Sequence, residues 1–111
     1  MGANHSFLRI LRKDQSSNKN SITIAIAPGS SNTPQKRLPV LTWKKICESI
    51  SANFKECQIV LHGTKNDKTL CDQIYLGANV RKFRNLAGKT SILELRDHLI
   101  NSDLLVCNDS G

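Results

Sequence analysis

Residues 21–29 read SITIAIAPG. Ile22, Ile24 and Ile26 alternate with Thr23, Ala25 and Ala27, so an extended chain here is β-branched or apolar on both faces, and Pro28-Gly29 stops it. A strand with two apolar faces has to be covered on both, and that is the condition of an interior strand in a parallel sheet. Its neighbours in the sequence can then be read for the helices and strands that would cover and flank it.

Downstream, VLTWKKICESISANF at 40–54 places Leu41, Ile46, Ile50 and Phe54 near helical spacing, with Trp43 and Cys47 widening the stripe and Thr42 as the expected N-cap. CQIVLHG at 57–63 is a second short apolar strand closed by glycine. NDKTLCDQIYLG at 66–77 is a helix capped by Asn66 or Asp67 and ended by Gly77. VRKFRNLAG at 80–88 is a weaker third strand, its charges alternating with Val80, Phe83 and Leu86, which suits a sheet edge. TSILELRDHLINS at 90–102 is a helix capped by Thr90 or Ser91, with Glu94 at capping-box distance. DLLVCNDSG at 103–111 supplies the fourth strand and a polar turn.

The order β-α-β-α-β-α-β defines the α/β class, a Rossmann-like parallel sheet wound from right-handed βαβ units. The commonest doubly wound arrangement orders these four strands 3-2-1-4 and makes the first and fourth neighbours. Residues 1–20, ending in KDQSSNKN, read as a polar linker or tail, and residues 21–111 as the folded domain. FLRILRK at 7–13 is too short to span a bilayer. On this reading LLVC at 104–107 keeps an open strand edge and one poorly covered face, so the chain is expected to be marginally stable and to associate through that strand.

With 111 residues the chain holds at most one small domain, and 39% hydrophobic with 23% charged residues is ordinary globular composition. A net charge of +7 favours anionic partners. Its cations are scattered and only one Trp and one Tyr are available for stacking, which counts against nucleic acid. The cysteines at 47, 57, 71 and 107 form no C-x-x-C pair and read as reduced structural thiols, which with the lack of a signal peptide or long apolar run points to a cytoplasmic protein. Neither Walker A nor G-x-G-x-x-G is present, and no metal cluster, cofactor motif or nucleophile–base pair can be assembled.

In an open α/β sheet the ligand sits outside the carboxyl ends of the strands, where the strand order reverses. The turns that empty there are PGSSNTPQKR at 28–37 and NDSG at 108–111. Their hydroxyls, amides and cations outline a diphosphate or nucleotide-sugar site: Ser30 and Ser31 as phosphate donors, Lys36 and Arg37 as counter-charges, Asp109 and Ser110 as hydrogen-bond partners. His62 ends the second strand and reads as a structural imidazole.

IAPGSSNTPQKRLP, VLHGTKND, NLAGKTSILEL and DLLVCNDSG resemble, in order, successive motifs of the C-terminal domain of glycosyltransferase family nine, the lipopolysaccharide heptosyltransferases. The resemblance covers residues 21–111. It implies part of a GT-B architecture, in which two Rossmann-like domains face each other and the C-terminal one holds most of the nucleotide-sugar donor, ADP-heptose. It places Ser30 and Ser31 at the diphosphate, makes Lys36 the phosphate-contacting lysine, and sets Asp67 near the donor's ribose and Thr90 in the adenine pocket. Asp109, Ser110 and Gly111 match the start of a D-[ST]-G-x-x-H motif that contacts sugar and phosphate. Leu38 stands where the family usually has tryptophan after the lysine-arginine pair. The resemblance also implies that the histidine of the last motif and the N-terminal domain, which binds the lipid-A core acceptor, lie outside this chain. The expectation is therefore a donor-binding piece, inactive alone, working in the cytoplasm with at most peripheral contact at the inner membrane. A nucleotide-binding module completed by a separate chain is the alternative of a different class.

Overall fold

The computed structural model describes residues 7–12, 21–29 and 38–109. Among these residues five strands and three α-helices follow one another: β1 Phe7–Arg12, β2 Ile22–Ala27, α1 Val40–Asn53, β3 Cys57–Leu61, α2 Lys68–Tyr75, β4 Phe83–Asn85, α3 Ile92–Asn101 and β5 Leu104–Asp109. They form one sheet in the order β1-β5-β2-β3-β4. The four strands expected from the sequence are β2, β3, β4 and β5, and all their pairings are parallel, in the order expected.

Strand β2 is interior because both of its faces are apolar. Ile24, Ala25 and Ile26 in succession are fully buried. In register beside them stand Ile59 and Leu61 of β3 and Leu104 and Val106 of β5. On this face of the sheet, Ile24, Ile26, Ile59, Leu61 and Val106 pack with Trp43 and Cys47 of α1 and with Cys71 and Ile74 of α2. Helix α3 lies on the opposite face, where its His98 ring meets the His62 ring at 5.5 Å. Two helices on one face and the returning helix on the other put the reversal of strand order between β2 and β5.

Local chemistry explains most boundaries. Ser91 Oγ accepts the Glu94 N–H at 3.1 Å while Glu94 Oε1 accepts the Ser91 N–H at 2.8 Å, so α3 opens with a complete capping box. Gly77, at φ 74°, follows the last turn of α2 in the left-handed conformation that glycine adopts without cost. Helix α1 differs from expectation: its N-cap is Pro39 rather than Thr42, since the extended backbone of Pro39 (φ −61°, ψ 155°) starts the helix three residues earlier. Its buried line is Trp43, Cys47 and Ser51, while Leu41 is 61% exposed. The largest side chain takes the core and rotates the expected stripe. Strand β4 is a three-residue edge, its Phe83 ring 5.0 Å from Tyr75.

The largest correction lies before Ser21. Within the segment expected to be linker or tail, Phe7–Arg12 is a strand that pairs antiparallel with all of β5, from Phe7 opposite Asp109 to Arg12 opposite Leu104. The edge of LLVC is therefore not open; β1 supplies its backbone partners. The face is less complete. Leu104 and Val106 border a groove of about 320 Å³ closed on its other sides by Ile10, Ile22, Ile50 and Phe54. Among the described residues no helix is long and apolar enough to cross a membrane.

Candidate functional site

The carboxyl ends of β2 and β5 stand side by side, with Ala27 opposite Cys107. A cavity of about 370 Å³ opens beside them, at the ends of β2 and β3. Its floor and walls are Ala27 and Gly29 after β2, His62, Gly63 and Thr64 after β3, Asn66 and Asp67 at the start of α2, and Leu95 and Leu99 of α3. A second space of about 320 Å³ shares Gly63, Thr64, Asn66 and Leu95 and runs on past Lys65 to Thr90, Ser91 and Ile92. Together they make one groove across the end of the sheet.

Asp67 is a buried carboxylate in the groove, only 8% exposed. Its Oδ2 accepts the Thr64 N–H at 2.9 Å and the Thr64 hydroxyl at 3.2 Å. Thr64 Oγ1 in turn accepts the Asn66 N–H at 3.3 Å, so Thr64 and Asp67 cap the short 3-10 turn over Lys65–Asp67. The carboxylate fits only because two strand-ending residues lack side chains. A Cβ added at Gly29 would overlap Asp67 Oδ1 and stand 2.5 Å from Cγ; one added at Gly63 would stand 2.7 Å from Asp67 Cβ and 2.9 Å from Oδ2. Gly63 is held from the other side as well, its carbonyl accepting the N–H of Gly88 at 3.0 Å.

Thr90 lines the far part of the groove, and its Oγ1 is buried without a hydrogen-bond partner. His62 is 2% exposed, and its Nδ1 also lacks a partner. Burial, with the nearby His98 and Arg84 charges adding to it, pushes the His62 imidazole down to about 4, so it is neutral at pH 7. At the end of β5, buried Asn108 accepts the Leu38 N–H on its Oδ1 at 3.0 Å and so ties the chain that enters α1 to the carboxyl end of the neighbouring strand. Leu38 itself packs against the main apolar cluster.

Of the site residues expected from the sequence, Asp67 and Thr90 lie in this groove. Asp109 ends β5, with its side chain outside the described residues, as are Ser30, Ser31, Lys36, Arg37, Ser110 and Gly111. Gly29, immediately before Ser30, lines the cavity. The Gly29–Asp67–Gly63 arrangement and the Asn108–Leu38 bond were not read from the sequence. The T-x-x-D spacing signals only the Thr64–Asp67 cap; the contact of Asp67 with Gly29 and the Asn108–Leu38 bond join residues far apart in sequence.

Among the described residues no three His, Cys, Asp or Glu side chains are placed to hold a metal ion. Cys47, Cys57 and Cys71 are buried and form no disulfide. Burial pushes the thiols of Cys47 and Cys71 up to about 12, which makes them inert packing groups.

Comparison with known proteins places this groove in a context. The chain is 34% identical over 97 residues to lipooligosaccharide heptosyltransferase 2 of Haemophilus ducreyi, covering 84% of this chain and 27% of that protein. It is 33% identical over 91 residues to the enzyme of the same name from Haemophilus influenzae, covering 79% and 26%. The solved structure of E. coli ADP-heptose lps heptosyltransferase II superposes with a TM-score of 0.67 at 27% identity, over 85% of this chain and 29% of that one. The chain thus spans about a quarter of the length of the relatives it matches. Residues 4–111 match the sequence profile of "Glycosyltransferase family 9 (heptosyltransferase)", and the chain belongs to that family.

Proposed function

We propose that this chain forms the donor-binding part of a heptosyltransferase of lipopolysaccharide core synthesis, taking ADP-heptose or a similar nucleotide sugar. The observation that carries the reading is the groove itself: in a chain of this family, it lies at the carboxyl ends of β2 and β3, beside the β2/β5 reversal of strand order. Thr90 borders its far end, suited to the base, and Gly29 and Gly63 line its middle. Ser30, Ser31 and Lys36 supply hydrogen bonds and charge to the diphosphate, and Asp109, Ser110 and Gly111 close on sugar and phosphate.

The chemistry that follows is displacement at the anomeric carbon. Lys36 and the backbone donors stabilise the negative charge that builds on the departing diphosphate. The acceptor hydroxyl, on a lipid-A core, and the base that deprotonates it are supplied across the cleft by the other domain of the architecture.

Calorimetry of the full chain at low salt tests the reading. ADP and an ADP-sugar should bind weakly but saturably, and inorganic pyrophosphate more weakly still. Absence of ADP binding, or equal affinity for pyrophosphate alone, would sink it.

A further inference from the structure

We propose that Asp67 is a positioning residue: its carboxylate is a spacer that sets the loop after β2 against the loop after β3, and thereby the shape of the groove. This rests on the reading of the groove as a nucleotide site and changes the part that Asp67 plays there. The resemblance puts an acidic group near the ribose, as a direct ligand contact. The geometry assigns it a different task.

Three observations support this. The residue is buried, with both Thr64 donors on Oδ2. Its other oxygen lies against Gly29, so closely that a methyl there would overlap it. A Cβ at Gly63 would stand 2.7 Å from the Asp67 Cβ, less tight than at Gly29 but still too close, and the Gly63 carbonyl accepts the Gly88 N–H. The side chain thus stands between Gly29 and Gly63, one from each loop, and both glycines line the cavity. A packed interior transmits a change of this kind, because the space that a carboxylate fills cannot be shared with even one added carbon. A negative charge this near the groove would also repel a diphosphate unless its oxygens were already occupied by donors, as Oδ2 is.

Positioning and direct contact make different predictions for a double-mutant cycle on ADP affinity. Gly29→Ala inserts a carbon where Asp67 stands and should weaken ADP roughly tenfold or more; Asp67→Ala unlocks the loops and should cost about the same. In the double variant the added methyl occupies the space that the carboxylate left. Its affinity should equal or exceed that of Gly29→Ala alone. Losses that simply multiply, or an Asp67→Ala chain that binds ADP like wild type, would overturn the proposal. Should Gly29→Ala fail to fold, Asp67→Asn decides: it keeps the volume and one acceptor for the Thr64 N–H, so affinity within about threefold of wild type supports positioning, and a loss as large as alanine's refutes it.

Amide hydrogen exchange without ligand separates failure of this proposal from failure of the binding reading. The Thr64 amide should be protected in wild type and exchange at least tenfold faster in Asp67→Ala. Faster exchange at the Gly29 amide in the same variant is the mark of two loops released together. If ADP does not bind the wild-type chain, the donor reading is lost, and these two amides alone decide: coupled release supports the spacer, and an unchanged Gly29 amide refutes it.

Discussion

Thr23 and Asp103 exchange two hydrogen bonds across the seam between β2 and β5: the Thr23 N–H donates to Asp103 Oδ2 at 2.8 Å, and the Asp103 N–H donates to the Thr23 carbonyl at 2.8 Å. The carboxylate closes the ladder one residue before β5 begins and anchors the end of the α3 crossover. Asp103→Ala leaves the Thr23 N–H without this acceptor and is expected to destabilise the chain by about 1.5–3 kcal/mol, the range for hydrogen bonds to charged groups. Asp103→Asn, which keeps an oxygen in place, should cost less. Urea denaturation of the two variants beside wild type measures both.

Strand β1 covers the β5 edge over six residue pairs. A chain beginning at Ser21 uncovers that edge and offers its unpaired backbone groups to another molecule. Sedimentation velocity should show concentration-dependent association of the shortened chain that the full chain does not share. Equal behaviour of the two would mean that β1 contributes nothing to protecting β5.

Lys36 precedes by two residues the Leu38 N–H that Asn108 holds at the end of β5. As the proposed phosphate-contacting lysine, Lys36 should make a charge-assisted contact with the diphosphate. Lys36→Ala is expected to weaken ADP by about 1.5–3 kcal/mol. Calorimetry at low salt reads it, and unchanged affinity removes Lys36 from the site.

His62 gives the fold an acid-sensitive element. Its ordinary value of 6.5 is lowered to about 4 in the folded chain, chiefly by burial. The unfolded chain therefore binds a proton between those limits that the folded chain refuses. Stability is complete above pH 6.5 and falls as the pH drops toward 4, by a total of about 3 kcal/mol from this group. Glu94 and Asp72, both held below the usual carboxylate range by hydrogen bonds, lose stability in the same direction at lower pH. Comparison with His62→Phe isolates the histidine: the phenyl ring keeps the packing, removes the unpartnered Nδ1, and should flatten the profile between pH 6.5 and 4. Parallel profiles for the two chains would refute the assignment.

Local pattern was enough to order the sheet. Ile24, Ala25 and Ile26 demand cover on both faces, and the handedness of βαβ units leaves one common arrangement that supplies it. The Ser91–Glu94 capping box and the left-handed Gly77 are likewise short-range chemistry, legible from residues a turn apart. Such signals say which faces of an element are apolar and where it starts and stops.

They do not say which distant backbone will complete an edge. Phe7–Arg12 has two arginines in six residues and looks like solvated tail; it is a strand because β5, nearly a hundred residues later, presents a row of unpaired N–H and C=O groups. The same holds in the groove. Nothing around Asp67 in sequence announces that its carboxylate will stand against Gly29, 38 positions away by number, yet that contact sets the width of the space between the two loops. Sequence alone determined the class and the strand order, because these follow from local periodicity and chirality. Tertiary structure decided which backbone protects β5 and which side chain shapes the groove, because pairing and steric exclusion exist only once the remote segments have met.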